Sequence, residues 1–443
     1  MKKRNPLFAI IADDNTGASD AGGMLTERGI RTLLVLDEAW LEQKSTHDKM
    51  LKSYDTLILS TASRSSPREK AYEKTARAAL YLRQLGVKKI QVKYSSTFDS
   101  TEKGNIGPSL DAAMDILKDD LRPFATTVSP ALPVNGRTTY FGYHFVKGIL
   151  ISESPLRHHP LNPITDPSLV RWLRKQTKRK VGLAPLPVIR QGAETLRSFL
   201  RELAAKGTTY IVTDTIEQSD LKTIAMATKD WMLISGASGI TAEIPDLMFG
   251  KREHLDFSER LEKTGGRLIV AAGSCTPKTI SQNDYALAAG FSGLELDAKK
   301  ILEGSLDVKS EVRRFIESTP RSANIIIYSS AEHNEVEEVK KLGLSMGLSV
   351  GEIGERISDA LSDAILAATE YDDFGRLCIS GGETSGAVCR KLGIKTLEVG
   401  LPIEPGVPFC FSTGEKDEEG ELMVVLKSGN FGSIDFYEKV SGL

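Results

Sequence analysis

Residues 10–22 read IIADDNTGASDAG, so an apolar run ends on two adjacent carboxylates, Asp13 and Asp14, just before Gly17. One of them is accounted for as the cap of a helix starting near Thr16, because Asp is a favoured N-cap. The second asks for another task. A carboxylate at a strand end beside a helix N-terminus is favoured in its ionised form. Such a group can take a proton from a hydroxyl or orient it for attack. The stretch KYSSTFDSTEKGNIG, residues 93–107, adds Ser95, Ser96, Thr97, Asp99, Ser100, Thr101, Lys103 and Asn105. That is more hydrogen-bonding capacity than a loop needs, and a polyhydroxylated ligand would use it. Arg64 in TASRSSP stands at another strand end, and PVNGRTTYFGYHF adds Arg137 and His144. Arginine matches a carboxylate in a two-bond fork. Each of these residues taken singly is equally well explained as part of a solvated loop.

The second half carries different chemistry. In RLCISGGETSGAVCRKLG, residues 376–393, a buried strand runs into Gly381-Gly382 and a helix opens at Glu383 or Thr384. Glycine lets the chain turn sharply and approach a ligand closely. The first turn of the following helix offers unpaired N–H groups and a partial positive charge, which suits phosphate. AAGSCTPKT (271–279) repeats the layout with Gly273-Ser274, and LKSGNFG (426–432) places Lys427, Ser428 and Gly429 at a third strand end. Three such loops are expected to converge at one edge of a parallel sheet. Gly381 and Gly386 have Walker A spacing, but Ala387-Val388 follow where Lys-Ser/Thr is required. No Gly-x-Gly-x-x-Gly opens a helix after a strand, which counts against a dinucleotide site and an NAD-dependent dehydrogenase. A mononucleotide remains.

The elements that must position these groups alternate. LFAII, RTLLVL, DTLILS and KKIQVKY read as strands, with helices over SDAGGMLTERG and PREKAYEKTARAALYLRQLG between them. In the second helix Ala71, Ala78, Ala79, Leu82 and Leu85 form an apolar stripe, and Gly86 is a C-terminal stop. TTYIVTD and WMLISG continue the set as strands. The polar run FGKREHLDFSERLEKTGG (249–266) marks a boundary, and a second alternating set follows: strands RLIVAAG, NIIIYSS, RLCISGG and ELMVVLKSG, helices PKTISQNDYALAAG and SEVRRFIEST. The expectation is α/β, with two domains, 1–248 and 249–443, each a mainly parallel sheet flanked by helices, and a cleft between them. The acidic block GEKDEEGE (414–421) is expected to be an exposed hairpin or loop.

A chain of 443 residues exceeds the usual size of one domain. A formal net charge of −2 gives no sign of a nucleic-acid or membrane-surface binder. No run approaches the roughly 20 apolar residues of a membrane span. The N-terminal apolar stretch is too short for a signal-peptide core. The four cysteines, Cys275, Cys378, Cys389 and Cys410, show no Cys-x-x-Cys spacing, so a disulfide framework or structural zinc is not expected and a reducing cytoplasm fits. Adjacent His158 and His159 cannot both face one metal from a helix, so no metal ligand set is assigned.

IADDNTGASD, KYSSTFDSTEKGNIGP, VSPALPVNGRT, SGGETSG, PGVPF and LKSGNFG together resemble the four-carbon acid sugar kinases, once grouped as a domain of unknown function. The resemblance runs from Ile10 to about Phe436 and is greatest to the branch acting on 3-oxo-tetronates. Glu102-Lys103 replaces the Leu-Arg more usual in the threonate and erythronate branches, and Asn15 stands where Leu or Phe is usual. The resemblance implies ATP-dependent phosphorylation of a terminal hydroxyl, with the sugar acid on the N-terminal domain and ATP on the C-terminal one. It implies nucleotide contacts at Ser274, Gly381, Gly382, Glu383, Thr384 and Gly429. Asp13, Asp14, Arg64, Asp99, Ser100, Lys103 and Arg137 would line the sugar-acid side.

On this reading Arg64 or Arg137 holds the substrate carboxylate. Asp14, or failing it Asp13, takes the proton late, and backbone N–H groups with Mg²⁺ spread the phosphoryl charge. Closure of the two domains would exclude water. A kinase for threonate, erythronate or a branched 3-oxo acid is an alternative, as is a non-catalytic sensor of sugar acid and nucleotide. A homodimer is the base-rate expectation for assembly.

Overall fold

The computed structural model describes residues 6–42, 50–158, 162–329, 332–413 and 421–443. His159 and nearly all of the acidic block GEKDEEGE lie outside these residues. The chain divides into two compact units, Met1–Leu255 and Asp256–Leu443.

In the first unit the strands are β1 (Phe8–Ala12), β2 (Thr32–Val35), β3 (Thr56–Ser60), β4 (Lys89–Lys93) and β5 (Thr126–Ser129). Then come the short β6 (Arg137–Tyr140), β7 (Tyr143–Val146) and β8 (Ile149–Leu150), and finally β9 (Val181–Ala184), β10 (Tyr210–Thr213) and β11 (Leu233–Gly236). The main sheet runs β2-β3-β1-β4-β11-β5-β10-β9 and is parallel throughout. Its central strands are buried along their whole length, as expected when helices cover both faces. β6, β7 and β8 form a separate antiparallel sheet. Its first strand carries Arg137, and the sequence reading did not anticipate it.

Strand order sets the location of a site. From β1 the chain passes to β2 and β3 on one side, then to β4 on the other. β1 is therefore the point where winding reverses, and such sheets open a crevice at the carboxyl ends of the strands there. Helices α1 (Asn15–Thr26), α2 (Arg68–Leu85) and α3 (Ile106–Leu117) surround it. The apolar stripe of α2 is buried at Ala71, Ala78, Ala79 and Leu82, and Gly86 closes the helix at φ +79°. α1 starts earlier than its apolar pattern suggests, because Asp14 caps it from extended backbone.

The second unit repeats the logic. Its strands are β12 (Leu268–Ala272), β13 (Ser292–Glu295), β14 (Ile325–Tyr328), β15 (Arg376–Ser380), β16 (Thr396–Glu404), β17 (Val407–Ser412) and β18 (Met423–Lys427). They run β13-β14-β12-β15-β18-β17-β16, parallel from β13 to β18 and antiparallel in the last two pairings. Here winding reverses at β12, between β14 and β15. Helix α4 (Pro277–Ala288) follows β12 and α5 (Gly382–Lys391) follows β15. The three glycine loops thus leave three adjacent parallel strands, β12, β15 and β18.

Candidate functional site

In the first unit the site is built on β1. The main chain of Asp13 is stitched to both neighbours: its N–H donates to Lys93 O at 3.1 Å, and its carbonyl accepts from Ser63 and Arg64 N–H at 2.8 and 3.1 Å. Arg64 then reaches back across the strand ends. Its Nη2 and Nε donate to Asp13 Oδ1 and Oδ2 at 2.7 and 3.2 Å, and its Nη1 pairs with Asp14 Oδ2. Asn105 Nδ2 lies 3.3 Å from Asp13 Oδ2. Asp14 Oδ1 accepts from the Gly17 N–H and, at 3.2 Å, from the Thr16 hydroxyl.

One guanidinium therefore ties two carboxylates, and their surroundings separate them. Burial dominates at Asp13 and raises its carboxyl above the ordinary range despite Arg64. Asp14 is partly buried, and Arg64, Lys93 and the Gly17 N–H outweigh that cost and hold it below the ordinary range. Burial works against the charge on Arg64, yet Asp13 and then Asp14 raise it further above its usual value.

The flanking loops are shaped around this cluster. Ala62 and Phe98 adopt φ of +44° and +53°, a conformation that side chains resist. Phe98 is held there by burial against Tyr94, edge to face at 5.4 Å between ring centres. Next to it, Asp99 lies close enough to Arg64 to favour its charge, and its Oδ1 is buried with no hydrogen-bond partner. Ser100 is fully buried. Its hydroxyl accepts from Gln176 at 2.7 Å and its carbonyl from the Trp172 indole at 3.2 Å, so it anchors the loop from below. Lys103 is exposed, with no side-chain contact to the cluster.

Arg137 behaves unlike Arg64. It is half buried, with no carboxylate partner among the described residues, and its buried Nε has no acceptor. Burial lowers its pKa, the signature of a charge that lacks a counter-ion. His144, on the neighbouring strand β7, is structural. Its Nε2–H donates to Ser96 O at 2.8 Å and its Nδ1 accepts from Thr139 at 3.0 Å. Burial pushes it down to about 4, so it is neutral and ties the small sheet to the Ser95–Asp99 loop.

The second unit's loops meet through hydroxyls and main chain. Thr276 and Thr279 both donate to Gly429 O, at 2.8 and 3.0 Å, joining the loop after β12 to the one after β18. Gly381 N–H donates to Lys427 O at 2.9 Å, joining β15 to β18. Side chains at the contact points would collide. A Cβ on Gly429 would lie 2.1 Å from Ser274 Oγ, and one on Gly273 would lie 2.2 Å from Thr384 Oγ1. Gly381 has φ +131°, which only glycine adopts readily. Gly382, by contrast, faces open space. Lys427 is fully buried beneath the loop, donating to Ser428 O and Phe431 O at 3.3 and 3.4 Å. Sequence reasoning noted Lys427 but missed Thr276 and Thr279, whose hydroxyls read as ordinary helix-start residues until the third loop is seen beside them. No group of three or more His, Cys, Asp or Glu among the described residues is arranged to hold a metal ion. No helix of the described residues is long and apolar enough to cross a membrane.

Comparison with known proteins matches this division. Residues 8–244 fit the model of a sugar-binding N-terminal domain, and residues 269–437 that of a nucleotide-binding C-terminal domain. The chain is 35% identical over 450 residues to a 3-oxo-tetronate kinase of Pseudomonas savastanoi pv. phaseolicola, covering 99% of this chain and 97% of the relative. It is 32% identical to a 3-oxo-tetronate kinase of Haemophilus influenzae, covering 99% and 100%. Among solved structures, a Haemophilus influenzae protein of the same former domain of unknown function superposes with a TM-score of 0.73 at 32% identity, covering 98% of this chain and 99% of that one. A Salmonella typhimurium protein described as a putative tRNA synthase gives 0.77 at 29% identity, covering 98% of each.

Proposed function

The chain belongs to the four-carbon acid sugar kinase family, and from that premise we propose that it transfers the γ-phosphoryl group of ATP to the terminal (4-) hydroxyl of a sugar acid, with 3-oxo-tetronate as substrate. One observation carries the acid's side of this reading: Arg64 is spent on Asp13 and Asp14, whereas the half-buried Arg137 has no carboxylate of its own. An incoming carboxylate would satisfy Arg137 in a two-bond fork and repay the cost of its burial.

The two aspartates divide the remaining work. Asp14 is spent on the helix cap and on Arg64, and stays ionised. Asp13 is also held by Arg64, but it caps no helix and burial makes its carboxyl the more basic, so on this reading it accepts the hydroxyl proton. Asp99 Oδ1 accepts from another substrate hydroxyl, Ser100 holds the loop that presents it, and Lys103 stands at the rim. On the nucleotide side, the main-chain N–H groups that open α5 at Gly382, Glu383 and Thr384, with those around Gly429, receive the phosphates, while the N–H groups of Ser274 and Gly381 are bonded within the fold and shape the turns. The donor set fits Mg²⁺ carried mainly by phosphate and water, with Glu383 the exposed carboxylate in that loop; bound so, the ion offsets phosphate charge.

The test is to incubate the protein with Mg-ATP and a panel of 3-oxo-tetronates, threonate, erythronate and branched 3-oxo acids, and to measure ADP. The highest kcat/KM is expected with a 3-oxo-tetronate. Preference for threonate or erythronate would move the substrate within the family. Nucleotide binding with no ADP from any acid would overturn the kinase reading in favour of a sensor.

A further inference from the structure

The first unit holds one charged group that the mechanism above leaves unused. Lys93 ends β4 and is 3% exposed, yet its ammonium makes no hydrogen bond or ion pair with any described residue. The fold does satisfy buried lysines elsewhere. Lys89, at the other end of the same strand and also 3% exposed, donates to Thr228 O and Trp231 O at 3.0 and 2.6 Å. Lys93 is therefore left open at the strand end that lines the site.

Its position is specific. A Cβ on Gly17 would lie 2.4 Å from Lys93 Nζ, so the ammonium occupies the space that the missing side chain leaves against the first turn of α1. That turn is the positive end of a 12-residue helix. The Asp14 carboxylate caps that turn through the Gly17 N–H, so the ammonium lies beside a charged acid without bonding to it. Of the acids within electrostatic reach, Asp13 and Asp14 are held by Arg64, while Asp20 gives Oδ2 to the Ser238 hydroxyl at 2.6 Å and keeps a buried Oδ1 without a partner; none of the three forms an ion pair with the ammonium.

We infer that Lys93 is a catalytic residue whose ammonium holds an oxygen of the phosphoryl group as it arrives on the sugar acid; the inference rests on the kinase reading above. In the step, the hydroxyl O–H bond breaks and its proton passes to Asp13. The oxygen forms the new O–P bond while the bond from phosphorus to the leaving oxygen of ADP breaks. Lys93 keeps its proton throughout and offsets the charge on the transferring group.

The experiment compares full-length wild type, Lys93→Met and Gly17→Ala with Mg-ATP and the same acids, alongside melting temperatures and titration with a non-hydrolysable ATP analogue. Lys93→Met is expected to lose kcat by about 100-fold or more. KM for the acid should stay within about threefold and the analogue's Kd should be unchanged, the pattern of a contact made only in the transition state. Gly17→Ala, whose methyl would meet Lys93 Nζ at 2.4 Å and the Asp14 cap oxygen at 2.9 Å, should lose kcat by about tenfold. A Lys93→Met enzyme with near-normal kcat, whether or not it melts lower, makes Lys93 a structural counter-ion and overturns the inference. Should Lys93→Met fail to fold, wild-type turnover in Gly17→Ala overturns it equally. Wild type that yields no ADP with any acid removes the parent reading and this one together, whereas equal turnover in wild type and Lys93→Met removes this one alone.

Discussion

At the reversal point of the first sheet, side-chain charge gathers: Asp13, Asp14, Arg64 and Lys93 meet at the ends of β1, β3 and β4. At the reversal point of the second, glycines let the loops pack closely, Gly382 faces open space, and threonine hydroxyls act as fasteners. The same topology thus builds two kinds of site. A triphosphate has many equivalent oxygens and is met well by repeated N–H groups. A small acid with distinct hydroxyl, keto and carboxylate groups needs individually placed side chains, and those must be buried and paired to stay in place.

Substitutions sharpen or break this contrast, and they rank by size. Asp13→Asn should lower kcat by about two to four orders of magnitude while ATP still binds, as for loss of a general base. Asp14→Asn should cost less, since Asn also caps helices. Steady-state rates on both variants decide it, and the reverse order would return the proton acceptor to Asp14. Arg64→Met should destabilise the fold by about 3 kcal/mol, because it strands two buried carboxylates. Urea unfolding reads this, and an unchanged midpoint would mean the cluster is not held by its charge pairing.

Protonation provides the next effect. His144 is depressed to about 4 when folded and titrates near its ordinary value when unfolded. Its neutral form is matched above pH 6.5, and stability is lost as pH falls from there towards 4, by roughly 2–3 kcal/mol. Unfolding curves across that window, with His144→Gln as the variant lacking this slope, check the sign and size. Smallest, Gly382→Val should weaken ATP binding about tenfold and leave the melting temperature alone, because its side chain enters open space on the phosphate side rather than the core. Wild-type nucleotide affinity in that variant would remove Gly382 from the phosphate path.

Much of this was legible in the residues. Asp13-Asp14 stood out because two charges end an apolar run, and the glycine loops because each follows a β-branched strand. The strands predicted around residues 7–11, 55–60, 88–94, 267–273, 376–382 and 421–429 all form within a residue or two of their patterns. β5, β9 and β13 escaped because their segments TTVS, VGLA and SGLE are short and mix polar or small residues. Ser100 looked like a ligand contact because nothing local reveals Gln176, which takes its hydroxyl from 76 positions away.

Local pattern by itself determined the alternation of strand and helix, the glycine turns and the adjacent acids, because these follow from backbone preference and burial over a few residues. Tertiary structure alone decided which charge meets which. Arg64 spans 51 positions to reach Asp13, Arg137 is left without an acid, and Lys93 lies against Gly17. The reason is physical: a side chain's charge state and availability depend on neighbours brought in by strand order, and strand order is a property of the folded sheet.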